Sequence, residues 1–532
     1  PTATGSAGGN GNNGSGGYGG DVIHFTVNGT LQLDGKISAD GATGSGLNSG
    51  GGSGGSVYLT VGTLSGAGLI SANGGAANGA LGGGGGGGRV AIWFNTNLFS
   101  GAFTARGGAG YVVGGAGTIY LNPNDRFQGK TPQGPQLIVD NGGQGGTNTL
   151  ISTSDESADL TIGSGAAAVL SDKESWNSLV IASNASLGFV PTFSSITLNV
   201  LNNLTVQASG AINLDGQGFP ANQGAGAGVV AALVTSNGTT YIGGGGGHGG
   251  EGSEGNYFSV PGFPSGGSNY DSFTEPVIAG SGGGAATSAL GSAGGGALHL
   301  IVGGALDVNG RISANGTGWQ ISGAGGGAGG SLWLSAATLS GSGTISANGG
   351  NGEFFNGGGG AGGLIAVYFN TNQFTGTFSA QGGEGSEDIG IAGGAGGIFL
   401  KTNSANFGQL TVDNGGSPGA NTPLDSLGKS VVALNIGGSA GVDSALPLTF
   451  QSLDIAPDGN FYTAGSNALD LTVLGDARVD GAINADFAGF GFGFTNAPGA
   501  GQVDAADDGS GGGYGGAGGA SLFGAPGGDA YG

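Results

Sequence analysis

The sequence contains no cysteine and no methionine among its 532 residues, and only 10 lysines and arginines. Without cysteine the chain has no disulfide framework, no thiolate ligands for zinc and no thiol nucleophile. The basic residues face 33 aspartates and glutamates, which argues against nucleic acid or an anionic membrane as partner, because both require clustered positive charge. The formal net charge of −23 favours solubility and attracts cations, but it does not specify a fold.

Long apolar runs are also missing. No stretch has the length of apolar sequence that a transmembrane helix requires, so the sequence predicts no membrane span. Charged residues make up 8% of the chain and hydrophobic residues 37%, which is not the composition of a charge-solvated disordered protein. Because the sequence does not begin with methionine, we expect either a processed chain or a window onto a longer polypeptide, with any signal peptide already removed.

Glycine is the residue that the chain has in excess, with 135 copies, about a quarter of the total. Its distribution divides the chain into five modules. The glycine-rich modules are residues 1–134 (the N-terminal block), 211–407 (the central block) and 475–532 (the C-terminal block). Residues 135–210 and 408–474 are the glycine-poor modules between them.

The chain is a tandem repeat. Residues 54–75 align without gaps on residues 329–350, with 15 of 22 positions identical and an offset of 275. Repeats of this kind are typical of solenoids and related arrays. The N-terminal and C-terminal blocks together have about the length of the central block, so we interpret them as the two halves of one split module.

The local patterns predict an all-β protein with almost no helix, because no apolar stripe of period 3.6 extends beyond two turns. Short strands, such as those at 57–61 and 90–94, follow glycine runs. Asp-Gly and Asn-Gly pairs at Gly35, Gly41 and Gly74 predict corners with positive φ angles. Strand, corner and strand at short intervals predict a parallel β-solenoid, also called a β-helix.

The glycine runs at 82–88, 243–247 and 357–360 allow two interpretations. They are either flexible linkers or segments in the polyproline II conformation that pack through backbone hydrogen bonds, where only glycine fits. The runs fall between repeated strands at matched positions, which a linker does not require. We therefore favour ordered packing.

The phrases GGSVYLTVGTLSGAGLISANGG and GGSLWLSAATLSGSGTISANGG resemble repeats of glycine-rich surface proteins of environmental bacteria. They also look like the β-helical passengers of autotransporter-type adhesins. The glycine runs are similar to the polyglycine II bundles of snow-flea antifreeze proteins and phage tail-tip adhesins, although the Gly-Gly-X period is kept only briefly. The resemblance implies an extracellular structural or adhesive role and supplies no catalytic residues.

Two motifs suggest ligand sites. The stretch 16–23 matches the calcium-binding nonapeptide of toxin repeats, with Asp21 as the carboxylate, but the equivalent stretch GSAGGGALHL has no aspartate. His248 with Glu251 and Glu254 has the residue types of a metal site, and a solvated loop is the favoured alternative. We predict no catalytic, cofactor-binding or metal-binding residues.

The remaining candidates have structural interpretations. His24 and His299 occupy the same repeat position within strands, so we interpret them as structural imidazoles. Asparagines in two NTN motifs are interpreted as stabilising ladders rather than binding groups. Acidic clusters suggest glycoside chemistry, but the scattered basic residues do not favour a polysaccharide lyase. These asparagines and acids are Asn95, Asn97, Asn370 and Asn372, and Asp155, Glu156, Asp159, Asp504, Asp507 and Asp508.

The sequence therefore favours an extracellular or cell-surface structural protein that assembles head to tail with itself and uses no cofactor. The first alternative is that the chain is an adhesin stalk or a carbohydrate-binding segment of a giant surface protein, with surface polysaccharide as its partner. A polysaccharide-degrading β-helix is the second. We predict that the chain is not an enzyme.

Overall fold

The computed structural model describes the chain except for a set of short segments. These are residues 13, 124–133, 153–154, 172–173, 236–237, 257–263, 286–290, 319–321, 354–355, 387–390, 466–467, 487, 489–497, 503–508, 523–524 and 531–532. The protein is essentially all-β, with 42% strand and 1% helix. The prediction of an all-β chain with almost no helix is confirmed. The helix described is a single 3-10 turn at Asp425–Leu427.

The strands of the N-terminal block alternate in length between long and short. They are β1 (Val22–Gln32), β2 (Lys36–Ser38), β3 (Ser56–Gly66), β4 (Leu69–Ser71), β5 (Arg89–Phe99), β6 (Ala102–Thr104) and β7 (Thr118–Pro123). Shorter strands form the first glycine-poor module. They are β8 (Gln136–Val139), β9 (Thr149–Ile151), β10 (Asp155–Ile162), β11 (Ala167–Leu170), β12 (Glu174–Ile181), β13 (Ser186–Phe189), β14 (Ile196–Val200) and β15 (Leu204–Val206).

The same alternation of long and short strands recurs in the central block. Its strands are β16 (Ala211–Asn213), β17 (Val230–Thr235), β18 (Gly238–Gly243), β19 (Ala297–Val308), β20 (Arg311–Ser313), β21 (Ser331–Gly341), β22 (Thr344–Ser346), β23 (Leu364–Phe374), β24 (Thr377–Ser379) and β25 (Gly397–Thr402). The rest of the chain adds β26 (Gln409–Asp413), β27 (Thr422–Pro423), β28 (Val432–Gly437), β29 (Gly441–Ser444), β30 (Leu448–Ile455), β31 (Asn460–Thr463), β32 (Leu471–Val473), β33 (Ala477–Val479) and β34 (Ala482–Asn484).

Most strand pairs are parallel and join successive repeats. The long strands β1, β3, β5 and β7 pair in that order, and the short strands β2, β4 and β6 form a separate parallel sheet. In the central block β19, β21, β23 and β25 pair in the same way. Val57 on β3 lies opposite Val90 on β5, and the difference between these two positions is the length of one repeat step in these blocks.

Antiparallel pairing occurs where the glycine content changes. β7 pairs antiparallel with β8, and β25 pairs antiparallel with β26, so the chain reverses direction at the same place in both units. The hairpin β17–β18 is the third antiparallel pair among the described strands. At these three places the strands depart from the parallel arrangement that the repeats predict.

The hydrophobic core lies on one face of the long strands. Val57, Leu59 and Val61 are buried, whereas Tyr58 and Thr60 between them are partly exposed. This period of two is the pattern of a strand with one buried face. Side chains from the short strands, such as Ile70, close the core from the other side.

The predicted positive φ angles at the Asp-Gly and Asn-Gly corners are wrong. Gly35, Gly41 and Gly74 do not adopt a left-handed backbone. The side chains of Asp40 and Asn73 accept hydrogen bonds from the backbone of the next repeat instead: Asp40 Oδ1 from Asn73 N at 2.7 Å, and Asn73 Oδ1 from Arg106 N at 2.8 Å. These polar residues therefore hold adjacent repeats together rather than supplying a left-handed turn.

The left-handed turn lies between the long and short strands. Gly66 has a φ of +100°, and its repeat equivalent Gly341 has a φ of +106°. A Cβ atom at Gly66 would lie 2.2 Å from the carbonyl oxygen of Leu33 in the preceding repeat. Glycine is required at this corner both by the backbone angle and by the close approach.

The NTN asparagines form a ladder in one place. Asn403 Nδ2 donates to Asn370 Oδ1 at 2.8 Å, across one repeat step. Asn97 and Asn372 instead accept from the backbone of the phenylalanine two residues later, at 3.0 Å in both units. All these contacts are within the protein.

The glycine run 82–88 donates hydrogen bonds to several neighbouring segments. Gly85 N donates to Gly75 O at 3.0 Å, Gly87 N to Gly115 O at 2.9 Å and Gly88 N to Ala72 O at 2.6 Å. A Cβ atom at Gly85 would lie 2.1 Å from the carbonyl oxygen of Gly52. The segments therefore approach each other at a distance that excludes any side chain.

Amide exchange tests whether this run is ordered in solution. We expect the amides of Gly85, Gly87 and Gly88 to exchange about a hundredfold or more slowly than an exposed loop glycine such as Gly145, because exchange requires these hydrogen bonds to open. Exchange would be followed by NMR on the full chain. Fast exchange at every position from 82 to 88 would show that the run is a flexible linker.

Candidate functional site

The structure leaves the proposed calcium motif without a cluster of ligands. Asp21 is exposed, and its Oδ1 accepts a hydrogen bond from Val22 N at 2.8 Å. No group of three or more histidines, cysteines, aspartates or glutamates is placed to share a metal ion within the described part of the chain. Asp504, Asp507 and Asp508 lie outside the described residues.

His24 and His299 both lie on the outer faces of long strands and contact an aromatic ring of the next strand. The His24 ring meets Tyr58 edge-on at 4.8 Å, and the His299 ring stacks on Trp333 at 3.9 Å. Burial lowers the pKa of His299, although the carboxylate of Glu275 opposes this effect. His299 therefore packs as a neutral ring.

His248 does not lie in a solvated loop, and that expectation is wrong. Its side chain is completely buried, because residues 242–250 run through the interior of the glycine-rich packing. Glu251 has a pKa raised by burial and by the nearby carboxylate of Asp443, whereas Glu254 is exposed. The structure thus separates the environments of the three residues that the sequence suggested as a metal site.

His248 instead belongs to a buried polar cluster. Its Nδ1 atom lies 2.8 Å from the carbonyl oxygen of Gly329, and because a carbonyl only accepts, Nδ1 carries a proton. The Nε2 atom lies 3.4 Å from Ser331 Oγ and 3.7 Å from Asp271 Oδ2. The Tyr270 ring lies 4.7 Å from the imidazole.

Serine, histidine and aspartate here do not form a catalytic triad. A triad requires the aspartate on the ring nitrogen opposite the one that faces the serine, whereas Ser331 and Asp271 both face Nε2. Ser331 Oγ also lies 2.6 Å from the carbonyl oxygen of Ile278, to which it donates. The cluster is therefore arranged to hold a segment in place.

That segment is residues 270–281, which we call the strap. Asp271 is its anchor: Oδ2 accepts from Val277 N at 2.8 Å and from Ile278 N at 2.7 Å. Burial opposes ionisation of Asp271, but the adjacent His248 imidazole and these backbone donors outweigh it and lower the pKa of the carboxyl group. The strap is thus fixed by a buried, ionised carboxylate.

Phe273 attaches the strap to the outer face of the central sheet. Its side chain is 2% exposed and belongs to a cluster with Leu364, Phe399 and Leu410. A Cβ atom at Gly397 would lie 2.4 Å from the Phe273 ring, so the ring lies directly over this glycine. Tyr368 Oη donates to the carbonyl oxygen of Thr274 at 3.0 Å, beside the ring.

The N-terminal block has the end of an equivalent strap. Ser56 Oγ donates to the carbonyl oxygen of Ala3 at 2.6 Å, and Ser331 Oγ donates to Ile278 at the same distance, 275 positions later. Gly5 N donates to Gly20 O at 2.8 Å, as Gly280 N does to Gly295 O. Residues 1–6 therefore occupy the position of the last six residues of the strap.

A groove lies open where Phe273 is found in the central block. It has a volume of about 610 Å³. Its lining includes the equivalents of the residues that surround Phe273, with arginine in place of Leu364 and threonine in place of Gly397. These lining residues are Pro1, Arg89, Ala91, Thr118, Tyr120 and Leu137.

Charged and aromatic groups border this groove. Asp155 Oδ2 accepts a hydrogen bond from Tyr120 Oη at 3.1 Å. Trp93 lies between Tyr58 and Tyr120, with ring separations of 4.7 and 5.6 Å. The matched positions of His24 and His299 indicated that the two units have equivalent outer sheet faces. No sequence pattern indicated that the strap covers this face in the central block.

Comparisons with known proteins add no relative. No family model, no curated protein and no solved structure matches the chain. Among the described residues, no helix is long and apolar enough to cross a membrane.

Proposed function

We propose that this chain is an extracellular structural protein whose copies, or successive repeat segments, join head to tail in a surface filament or matrix fibre. In this arrangement the C-terminal block of one copy completes the N-terminal block of the next. The contact joins two different surfaces, so it is heterologous, and it builds an open filament when the rotation between successive copies does not close a ring. A role of this kind requires no catalytic residue and no cofactor.

The observation that carries the proposal is the difference between two equivalent sheet faces. In the central block the strap covers the outer face, and Phe273 belongs to the same buried cluster as Leu364 and Leu410. In the N-terminal block the equivalent face is an open groove. The groove has a mixed lining, in which Trp93 and Leu137 lie beside Arg89 and Asp155. Because the equivalent face of the central block is covered by the strap, the open groove supports an interaction site at this place.

We further propose that the repeats form a parallel β-solenoid flanked by glycine segments packed as in polyglycine II. The parallel pairing of successive long strands at a constant repeat step supports the first part. Hydrogen bonds from one glycine run to different neighbours support the second, since a three-residue turn directs successive amides to different sides. Stacked repeats of this type suit a fibre, because each repeat contacts only its neighbours.

The carbohydrate-binding alternative has less support. Sugar rings stack on the free faces of aromatic side chains, but the rings of Tyr58 and Trp93 lie 4.7 Å apart and are tilted by 32°, so they contact each other. Asp155 is hydrogen-bonded to Tyr120. The aromatic row thus serves packing between repeats, and assembly remains the function that the groove supports best.

Deletion of residues 475–532 tests the proposal. We expect the full chain to sediment as a concentration-dependent polymer and to form uniform filaments in negative stain, whereas the deletion variant stays a monomer. Circular dichroism on the variant would establish that the remaining β structure is intact. Filaments that persist after the deletion, or a full chain that stays monomeric at all concentrations, would contradict head-to-tail assembly.

A further inference from the structure

Two amides of the glycine run 82–88 donate no hydrogen bond to any residue that the structure describes, although the carbonyl oxygens of the same residues accept one. Gly83 N and Gly86 N lack a partner within the described part of the chain, although their neighbours Gly85 and Gly87 are bonded. In the central block the equivalent amides are bonded, because Gly358 N donates to Gly243 O at 3.0 Å and Ala361 N donates to Gly246 O at 2.8 Å. The layer that supplies these acceptors in the central block has no counterpart among the described residues from 1 to 134.

The steric surroundings of these positions agree with the hydrogen bonds. A Cβ atom at Gly358 would lie 2.1 Å from the carbonyl oxygen of Ser253, in the additional layer. A Cβ atom at Gly83, the equivalent position, would have no atom within 4 Å. The N-terminal block therefore presents the same surface as the central block, but uncovered.

The additional layer of the central block consists of the segments 243–254 and 265–269. Residues 510–519 and 526–530 of the C-terminal block repeat the pattern of glycines in these segments, with Gly511 at the position of Gly245. The hydrogen bonds within the two layers correspond one to one. The bond from Gly511 N to Gly519 O, at 2.9 Å, matches the bond from Gly245 N to Ser253 O, at 2.9 Å. The bond from Gly518 N to Gly528 O, at 2.9 Å, matches the bond from Gly252 N to Gly267 O, at 2.9 Å. The bond from Gly528 N to Gly511 O, at 2.9 Å, matches the bond from Gly267 N to Gly245 O, at 2.8 Å.

The C-terminal layer also has two amides without a partner among the described residues. Gly246 N donates to Gly326 O and Gly249 N to Gly362 O in the central block, at 2.9 and 3.0 Å. Their equivalents, Gly512 N and Gly515 N, have no partner among the described residues. Both glycines are exposed, whereas residues 242–250 are buried. The acceptors equivalent to Gly326 O and Gly362 O are Gly51 O and Gly87 O, which accept no backbone hydrogen bond from the described residues.

The charges of the two blocks are complementary. Residues 1–134 carry five lysines and arginines and four aspartates, a formal charge of +1. Residues 475–532 carry one arginine and seven aspartates, a formal charge of −6. Half of the ten basic residues of an acidic chain thus lie in the N-terminal block. This distribution favours contact between opposite ends of two copies over contact between like ends.

We infer that the glycine layer 510–519 of a second copy docks on the glycine run 82–88 by backbone hydrogen bonds in the register of the central block. In that register Gly86 N donates to Gly512 O, and Gly515 N donates to Gly87 O. Gly83 then lies against Gly519, as Gly358 lies against Ser253. This inference rests on the proposed head-to-tail assembly and specifies its contact.

Substitution of Gly83 separates docking from folding. Gly83→Val has room in the free chain, since nothing lies within 4 Å of the new Cβ, but it would strike the docked layer. Gly29→Val is the matched control, because nothing lies within 4 Å of a Cβ atom there either, and Gly29 on β1 takes no part in the proposed contact. We expect Gly83→Val to raise the critical concentration for polymerisation by about tenfold or more, the equivalent of about 1.4 kcal/mol, and Gly29→Val to leave it nearly unchanged.

The experiment compares sedimentation and NMR amide exchange for the full chain and the two variants. Protection of the Gly83 and Gly86 amides should appear on polymerisation of the wild-type chain and be lost in Gly83→Val, while the unfolding midpoint of the monomer stays constant. If Gly83→Val polymerises at the wild-type concentration but deletion of 475–532 abolishes the polymer, the proposed register is wrong. Head-to-tail assembly would still hold in that case. Polymerisation insensitive to both changes would overturn both.

Discussion

Replacing Gly360 by valine is expected to prevent the central block from reaching its native packing. A Cβ atom at this position would lie 2.1 Å from the carbonyl oxygen of Gly327 and 2.5 Å from its carbonyl carbon. Both are backbone atoms held in a neighbouring segment, where Gly327 N donates to Thr317 O. No side-chain rotation relieves such a contact, so the cost exceeds the usual penalty for overpacking, about 1–3 kcal/mol.

The measurement is chemical unfolding of the full chain, followed by circular dichroism and by the fluorescence of the tryptophans. We expect the unfolding curve of Gly360→Val to lack the transition that occurs at the highest denaturant concentration in the wild-type chain. Otherwise we expect the variant to be recovered only as aggregate. Gly29→Val is the matched control, because a Cβ atom at Gly29 would have nothing within 4 Å and the change should alter stability by less than about 0.5 kcal/mol. Equal midpoints for the two variants would show that the glycine runs are not closely packed.

The repeat period and the strand pattern made the class of the fold predictable. Alternation at Val57, Leu59 and Val61 specifies a strand with one buried face, and recurrence of the phrase 54–75 at 329–350 specifies a duplicated arrangement. The first signal is local and the second is periodic, so both can be recognised in the sequence without knowledge of tertiary contacts. The near absence of helix in the described residues follows from the same patterns.

The corners were mispredicted because one dipeptide has two structural uses. Asn-Gly at residues 73 and 74 has the composition of a tight turn, but Asn73 Oδ1 accepts from the backbone of Arg106 in the next repeat. A residue that bonds to the next repeat cannot be distinguished locally from one that bonds within its own turn. The left-handed corner lies at Gly66 instead.

The candidate site was not predictable because it depends on which segment covers which sheet. His248 in the stretch GGHGGEG has the surroundings of an exposed polar loop in the sequence, yet it is buried against Gly329 and Asp271. Glycine runs without side chains pack as closely as a hydrophobic core, and no apolar pattern signals their burial. Arg89 and Leu364 hold equivalent positions, but Arg89 lines an open groove whereas Leu364 belongs to the buried cluster that contains Phe273.

Replacing Phe273 by alanine is expected to destabilise the central block by about 3–5 kcal/mol, the usual cost of deleting a large buried ring. The ring is 2% exposed and belongs to a buried cluster with Leu364, Phe399 and Leu410, so its removal opens a cavity over Gly397. The backbone of Gly397 and the rigid sheet beneath it limit how far the cavity collapses. The strap then depends on its hydrogen bonds, which include those of Asp271, the bond from Tyr368 Oη to Thr274 and the bond from Ser331 Oγ to Ile278.

Urea unfolding of Phe273→Ala measures this loss, and Leu98→Ala is the control, because Leu98 is 67% exposed on a long strand of the N-terminal block. A drop below about 1 kcal/mol would mean that the strap is held by its polar anchor rather than by the ring. The variant also makes the central sheet face resemble the open groove at Arg89. If an open face of this kind is what recruits another copy, Phe273→Ala creates a second acceptor, and its filaments should branch or thicken where wild-type filaments stay uniform.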